Sequence, residues 1–369
     1  MTTYYVDAAV GSDANTGTSA GSGNAFATIT HAAGVVVAGD VVNVKASGSY
    51  YEAVTVTTTA GTDVLPITFQ GYTTTPGDGG LVTVDAQNTR ANCLVVNKTF
   101  NLFNNFTFTG ATTRTVDFTA AITARFVNCQ FLKGSGTGLV GSGSSTFSSH
   151  TETLIGCLFS GFTTNALTAF AGYCYGCEFV GCGPITFASF VGTGGVSRCL
   201  IRGGAGPGIS LQSTDTNMII DSNVIYGKTS GSGIQVTGTA FLNCRIANNI
   251  LAGNAAYGID AIVSAGLYIN ANAYWSNTSG SRNVIPAGAN DVVISGTDPT
   301  NDPFVSKSTG NLALNATAGA GALLRGTGYP ATYPAGLTAN YSDYGASQHP
   351  DPAGGGSAGY SRSRVVGGA

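Results

Sequence analysis

The sequence predicts an all-β protein, a single parallel β-helix of about 11 rungs with a capping helix in front and a loose closing segment behind. Three observations predict it. Eight short segments between Leu102 and Asn277 align on Phe106, Cys129, Cys157, Cys177, Cys199, Asn223, Asn249 and Asn272, at steps of 23, 28, 20, 22, 24, 26 and 23 residues. Two places after each stands Phe108, Phe131, Phe159, Phe179, Ile201, Ile225, Leu251 or Tyr274. Three places before stands Phe103, Phe126, Leu154, Cys174, Val196, Ile220, Ile246 or Ile269. Four places after, Gly110, Gly161, Gly181, Gly203, Gly227 and Gly253 supply residues able to turn with positive φ.

An offset of two is the β period, and the offset of three in front implies a short turn between two strands. A step of about 24 residues fits one rung of three short strands, whereas a propeller blade needs four strands and about 40 residues. Like residues then stack on like, Cys over four successive rungs and Asn over three. Thiols fill a narrow interior as small hydrophobes, and a file of Asn amides can bond along the stack and to turn backbone.

A solenoid grows its core rung by rung, so 369 residues can remain one domain. Only 9% of residues are charged and 54 are Gly, which suits turns and uncharged outer faces, while 43% hydrophobic residues can supply a core. The net charge of −3 offers no basic face to a nucleic acid. Cys129, Cys157, Cys177 and Cys199 share one inward column and read as reduced, buried thiols. Cys174, Cys177 and Cys182 are close enough to raise a metal site, but Cys174 and Cys177 occupy different inward columns, so neither metal nor cofactor is expected. The opening residues lack a basic segment followed by an apolar run, and no apolar stretch approaches a membrane span. Cytoplasmic synthesis, no signal peptide and no membrane insertion are therefore expected.

Residues 1–40 read as a strand at 4–10, a loop at 11–17 and a helix at 27–38. In the loop Asp13, Asn15 and Gly17 faintly resemble a calcium loop, but no bidentate Glu follows, so a turn held by side-chain bonds is expected. Ile29, Ala32, Ala33, Val36 and Val37 fall on one helical face, which should plug the open end of the coil. The β-helix is expected over 41–295, beginning with short β segments at 41–44, 54–56, 67–69, 82–84 and 94–96. A closing segment follows over 296–349, then a Gly-rich linker and basic tail over 350–369.

Tyr-Tyr-Val-Asp at 4–7, Gly-Ser-Asp-Ala-Asn-Thr-Gly at 11–17, Phe-Ala-Thr-Ile at 26–29, Gly-Asp-Val-Val at 39–42 and Pro-Ile-Thr-Phe at 66–69 resemble the opening of right-handed parallel β-helix proteins of the pectate-lyase-like superfamily. Asp-Pro-Phe at 302–304, Asn-Leu-Ala-Leu at 311–314 and Asp-Tyr-Gly-Ala at 343–346 resemble its closing segment, which packs back along the coil or covers its far end. The resemblance spans roughly residues 4–348 and implies a right-handed coil. It is nearly silent on activity, because the superfamily includes lyases, hydrolases, epimerases and non-catalytic phage proteins.

Carbohydrate cleavage calls for paired carboxylates, or for a base with a cation. Glu occurs only at 52, 152 and 178, and the polygalacturonase-like patterns are absent as a set. His31 falls on the cap helix, and His150 and His349 in loops. Asp215, Asp221 and Asp260 come from consecutive rungs flanked by Arg198 and Arg245; they read as an exterior ion-pair cluster, or as the acids of a polysaccharide lyase or glycoside hydrolase. Tyr226 and Trp275 share an outward column, with Tyr257 and Tyr268 near in sequence, and these rings could stack on sugars or pack beneath the final segment. Tyr360, Arg362, Arg364, Val365 and Val366 form a tail that could dock on a partner. The expectation is a non-enzymatic structural or binding protein, a phage virion component of decoration, fibre or spike-like type, attached through that tail to other virion proteins. Self-association, with a trimer as superfamily precedent, and contact with a surface glycan stay open. The alternative is a lyase or hydrolase acting on a surface or cell-wall glycan.

Overall fold

The computed structural model describes residues 1–56, 59–118, 123–134, 140–142, 152–168, 170, 172–188, 191–212, 216–328 and 343–346. Three parallel sheets run the length of the coil, with 11 strands in sheet A, 11 in sheet B and 10 in sheet C. From strand Asn101–Asn104 onward each coil passes from sheet A around a tight corner to sheet B, through a turn to sheet C, and back by a loop; the two coils before it have longer connections from sheet A to sheet B. Thr216–Asp221, Val224–Tyr226 and Ile234–Val236 make one such coil. Among the described residues the 10-stranded sheet C limits complete coils to ten, slightly fewer than the about 11 rungs expected. Thr3–Val6 and Val292–Val293 belong to incomplete turns at the two ends.

The register follows the sequence columns. Phe103, Phe126, Leu154, Cys174, Val196, Ile220, Ile246 and Ile269 pair in succession along sheet A. Phe108, Phe131, Phe159, Phe179, Ile201, Ile225, Leu251 and Tyr274 do so along sheet B. A slip of one residue would turn either column to solvent, so burial of these side chains fixes the register. The Phe rings stack, with centroids 4.7 Å apart for Phe131 and Phe159 and 4.6 Å for Phe159 and Phe179.

In the eight tight corners from sheet A to sheet B the first residue is left-handed: Asn105, Asn128, Gly156, Gly176, Arg198, Ser222, Asn248 and Ala271 all have positive φ. Asn and Gly suit that region, whereas Arg198, Ser222 and Ala271 are held there by the stack on either side. The six glycines expected to turn with positive φ all do so.

All eight cysteines are buried thiols outside any disulfide. The thiols of Cys157 and Cys177 point to the carbonyls of Phe126 (3.4 Å) and Leu154 (3.3 Å). In the Asn stack, Asn223 Nδ2 donates to Asn249 Oδ1, and Asn249 Nδ2 to Asn272 Oδ1, both at 2.9 Å. Asp291 ends this ladder, accepting from the Asn272 N–H at 2.8 Å and from Arg282 at 2.9 Å. A second ladder runs beside it from Asn277 through Asn254 to Lys228. The buried Lys228 ammonium donates to the carbonyls of Cys182 (2.6 Å) and Gly203 (2.7 Å), and burial pushes its pKa down to about 8.

At the N-terminal end the helix spans Ile29–Val35, shorter than expected, because Val36 is already extended. Thr28 caps it, and Glu52 accepts from the Ile29 and Thr30 N–H groups, so the first turn has partners. Its buried face, Ile29, Ala32 and Ala33, packs against strand Val54–Val56. The first strand is Thr3–Val6 rather than 4–10, since the Asp7 N–H turns to the Phe26 carbonyl. Asp13 accepts from the Ala27 and Thr28 N–H groups and the Thr28 hydroxyl, which makes the preceding loop a side-chain-held turn.

Beyond the coil, Phe304–Ser306 and Asn311–Leu314 form a small antiparallel hairpin. Phe304, Leu312, Leu314, Leu324 and Tyr344 pack on Val224, Ile250, Ala273 and Trp275 to form a second apolar core. These are outward positions of sheet B, so the closing segment packs back along the coil.

Candidate functional site

Side chains next to the inward column of sheet A must point out, because a strand alternates faces. Across five neighbouring strands, from Gly172–Tyr175 to Leu267–Asn270, this gives two outward columns. One is Tyr173, Gly195, Ile219, Arg245 and Tyr268; the other is Tyr175, Ser197, Asp221, Ala247 and Asn270. At one strand spacing per step the patch is about 19 Å long.

Tyr175 and Tyr268 stand at its two ends, 47% and 48% exposed. Between them Gly195 is buried, and a Cβ there would meet the Ile219 carbonyl oxygen at 2.1 Å, so the two strands approach closely at this point. The strand Val191–Ser197 shifts register between Val191 and Gly194, a bulge of the kind that re-aims side chains beside functional surfaces. Arg198, exposed at its corner, holds its guanidinium carbon 5.9 Å from the Tyr175 ring centroid, in cation–π range. At the centre Arg245 pairs with Asp221 at 3.1 Å, and Asp221 also accepts from the Ser222 hydroxyl (3.1 Å) and the Asn248 amide (3.4 Å). The patch thus offers aromatic faces, donors and one carboxylate acceptor.

The acids singled out in the sequence do not come together. Asp221 lies on sheet A in the expected exterior ion pair with Arg245. Asp260 lies on sheet C, where it accepts from Asn283 at 2.9 Å. Consecutive rungs bring residues into one column only when they occupy the same strand position, and these two do not. Asp215, Tyr360, Arg362, Arg364, Val365 and Val366 lie outside the described residues, as do His150 and His349. Glu178 is paired with Arg202 at 3.0 Å.

Tyr226 and Trp275 are not a free stacking platform, because the closing segment covers their column. Trp275 is 1% exposed; its Nε1 donates to the Thr300 carbonyl, Phe304 meets its ring edge-on, and the Lys307 ammonium sits 4.7 Å from its centroid. Tyr226 is half-buried against the same Phe304. An open hollow of about 310 Å³ beside Tyr226 is lined by Arg202 and Lys307. Both cations are already paired, Arg202 with Glu178 and Lys307 with Asp298 and Asp302.

Sheet C carries an outward polar column of Thr186, Ser210, Gln235, Asp260 and Asn283, with no aromatic or cationic member. Among the described residues no group of three or more His, Cys, Asp and Glu could hold a metal ion. No helix there is long and apolar enough to cross a membrane.

Tyr173 and Tyr175 escaped the sequence reading. The signal was present: they stand four and two places before Cys177, the same offsets that place Arg245 and Asp221 before Asn249 and Asn223.

The family model of a right-handed β-helix region matches residues 123–280. No curated protein matches the chain. Among solved structures, the fold is similar to that of pectate lyase Pel9A, at TM-score 0.61 and 17% identity over 95% of this chain and 97% of that one. It is also similar to a rhamnogalacturonan lyase, at TM-score 0.51 and 15% identity over 86% and 94%. A lacto-N-biosidase from Eubacterium ramulus aligns at TM-score 0.44 and 10% identity over 79% and 67%. The protein is a right-handed parallel β-helix, similar in fold to a pectate lyase and a rhamnogalacturonan lyase.

Proposed function

We propose that the protein is a non-enzymatic structural and binding protein, a rod that holds a surface glycan without cleaving it. A phage virion is its proposed setting, with the tail containing Tyr360, Arg362, Arg364, Val365 and Val366 as its attachment. The observation that carries the reading is the separation of the acids: Asp221 is tied into an ion pair on sheet A, and Asp260 into an amide contact on sheet C. Glycoside hydrolysis needs two carboxyl groups about 5 to 10 Å apart, flanking the scissile bond. Asp298 and Asp302 do converge, but on Lys307, which pairs with both and anchors the closing segment.

Incubation with a panel of soluble polysaccharides tests this reading: at least one should be bound, and none should yield new reducing ends or unsaturated products. The second reading is polysaccharide cleavage, which the names of the similar structures favour. Cleavage that is lost on Asp221→Asn would replace the first reading with the second. Tail attachment has a separate test. Deleting residues 353–369 should abolish association with virion particles while leaving the melting temperature unchanged, and undiminished association would remove the tail from the proposal.

A further inference from the structure

We infer that the patch on sheet A between Tyr173 and Tyr268 seats a neutral, hydroxyl-rich glycan lying along the rod axis. This rests on the binding reading above and adds to it a site and a ligand class. The two ends of the patch present tyrosine rings, whose faces pack on the apolar faces of sugar rings. Between them the half-buried Ser197, Ile219, Asp221 and Arg245 form the floor, with Gly195 and Ala247 buried beneath it. A length of about 19 Å suits a run of sugar units better than a single ring.

Charge decides the class. Arg245, 40% exposed, is balanced by Asp221, so the centre of the patch is close to neutral while still offering guanidinium donors beside a carboxylate acceptor. That combination matches hydroxyl groups, which both accept and donate. A sugar carboxylate placed there would face the Asp221 charge. Arg198 lies off to one side, over the Tyr175 ring, where it stiffens the aromatic platform. The other faces fit less well: sheet C has no ring in its polar column, and the closing segment covers much of sheet B.

The test is affinity electrophoresis of the full chain through gels containing dextran, a galactomannan, a galactan or polygalacturonate, at low and high salt. The expected result is retardation by at least one neutral polymer, unchanged by salt because no ion pair with the ligand is involved. Tyr175→Ala should weaken it about tenfold, or roughly 1.4 kcal/mol, and Gln235→Ala on sheet C should leave it unchanged. Both substituted side chains lie on outer faces, so unfolding midpoints should match the parent. Retardation by polygalacturonate alone, disappearing in salt, would overturn the neutral class. Neutral binding indifferent to both Tyr175→Ala and Tyr268→Ala would move the site off sheet A and leave the binding reading standing. Retention by no polymer would sink both.

Discussion

From Phe106 to Cys199 the innermost corner of the coil is filled by a ring and thiols, and from Asn223 to Asn272 by amides, with one backbone path throughout. The two halves meet at a single rung. The Cys177 N–H faces the Cys199 sulfur at 3.4 Å, whereas the Cys199 N–H faces Asn223 Oδ1 at 2.9 Å. The slot therefore asks for two things, a small side chain and an acceptor for the N–H of the neighbouring corner. Sulfur meets the first requirement and weakly the second. Asn meets both: Asn249 accepts from the N–H and amide of Asn223 and donates to the Ile220 carbonyl and to Asn272. The amide ladder is also directional and must be terminated, which Asp291 does; the thiol stack needs no terminus.

The largest way to break this comparison is Asn249→Ala. It removes four hydrogen bonds from a fully buried position, and should lower stability by about 4 kcal/mol, read as a shift in urea midpoint. A cost below about 1 kcal/mol would mean that the ladder is incidental to the coil.

Lys228 sharpens the comparison, since the second amide ladder ends on it and its ammonium reaches past Gly204 to the Cys182 carbonyl. Its pKa of about 8 in the folded chain lies below the ordinary 10.5. As pH rises from about 8 to 10.5 the unfolded chain keeps a proton that the folded chain has lost, so this residue adds stability with rising pH. The full effect is about 3 kcal/mol. Tyr50 and Tyr274 act in the opposite sense, because burial raises their hydroxyls. The measurement is therefore the difference between parent and Lys228→Met unfolding curves across that range, which should change with pH in the parent's favour. A pH-independent difference would show that the ammonium is not held in the buried form described.

The smallest effect is expected for Cys177→Ala. It empties the volume of one sulfur in a stack whose hydrogen bonds are weak, at a cost of about 1 kcal/mol by the same urea assay. A loss equal to that of Asn249→Ala would erase the distinction between the halves.

The sequence by itself determined the coil. Parallel stacking repeats one environment at every rung, so Phe159, Cys177 and Asn249 recur at a readable interval, and the inward columns, the glycine turns and the capping helix follow from offsets along the chain. The lateral faces were legible only in part. An ion pair such as Asp221 with Arg245 lies one rung apart in one sheet and could be read from the same offsets, as could the tyrosines at 173, 175 and 268. What only the tertiary structure decided is which columns share a face and which faces stay open. Asp221 and Asp260 look like neighbours in rung number but stand on different sheets, because the loops between strands vary in length and set the angular position. Trp275 looks like a solvent-facing ring until the closing segment folds over it. That segment has no repeat to announce its path; its course is set by the apolar outward positions Val224, Ile250 and Ala273, brought together only when the coil has formed.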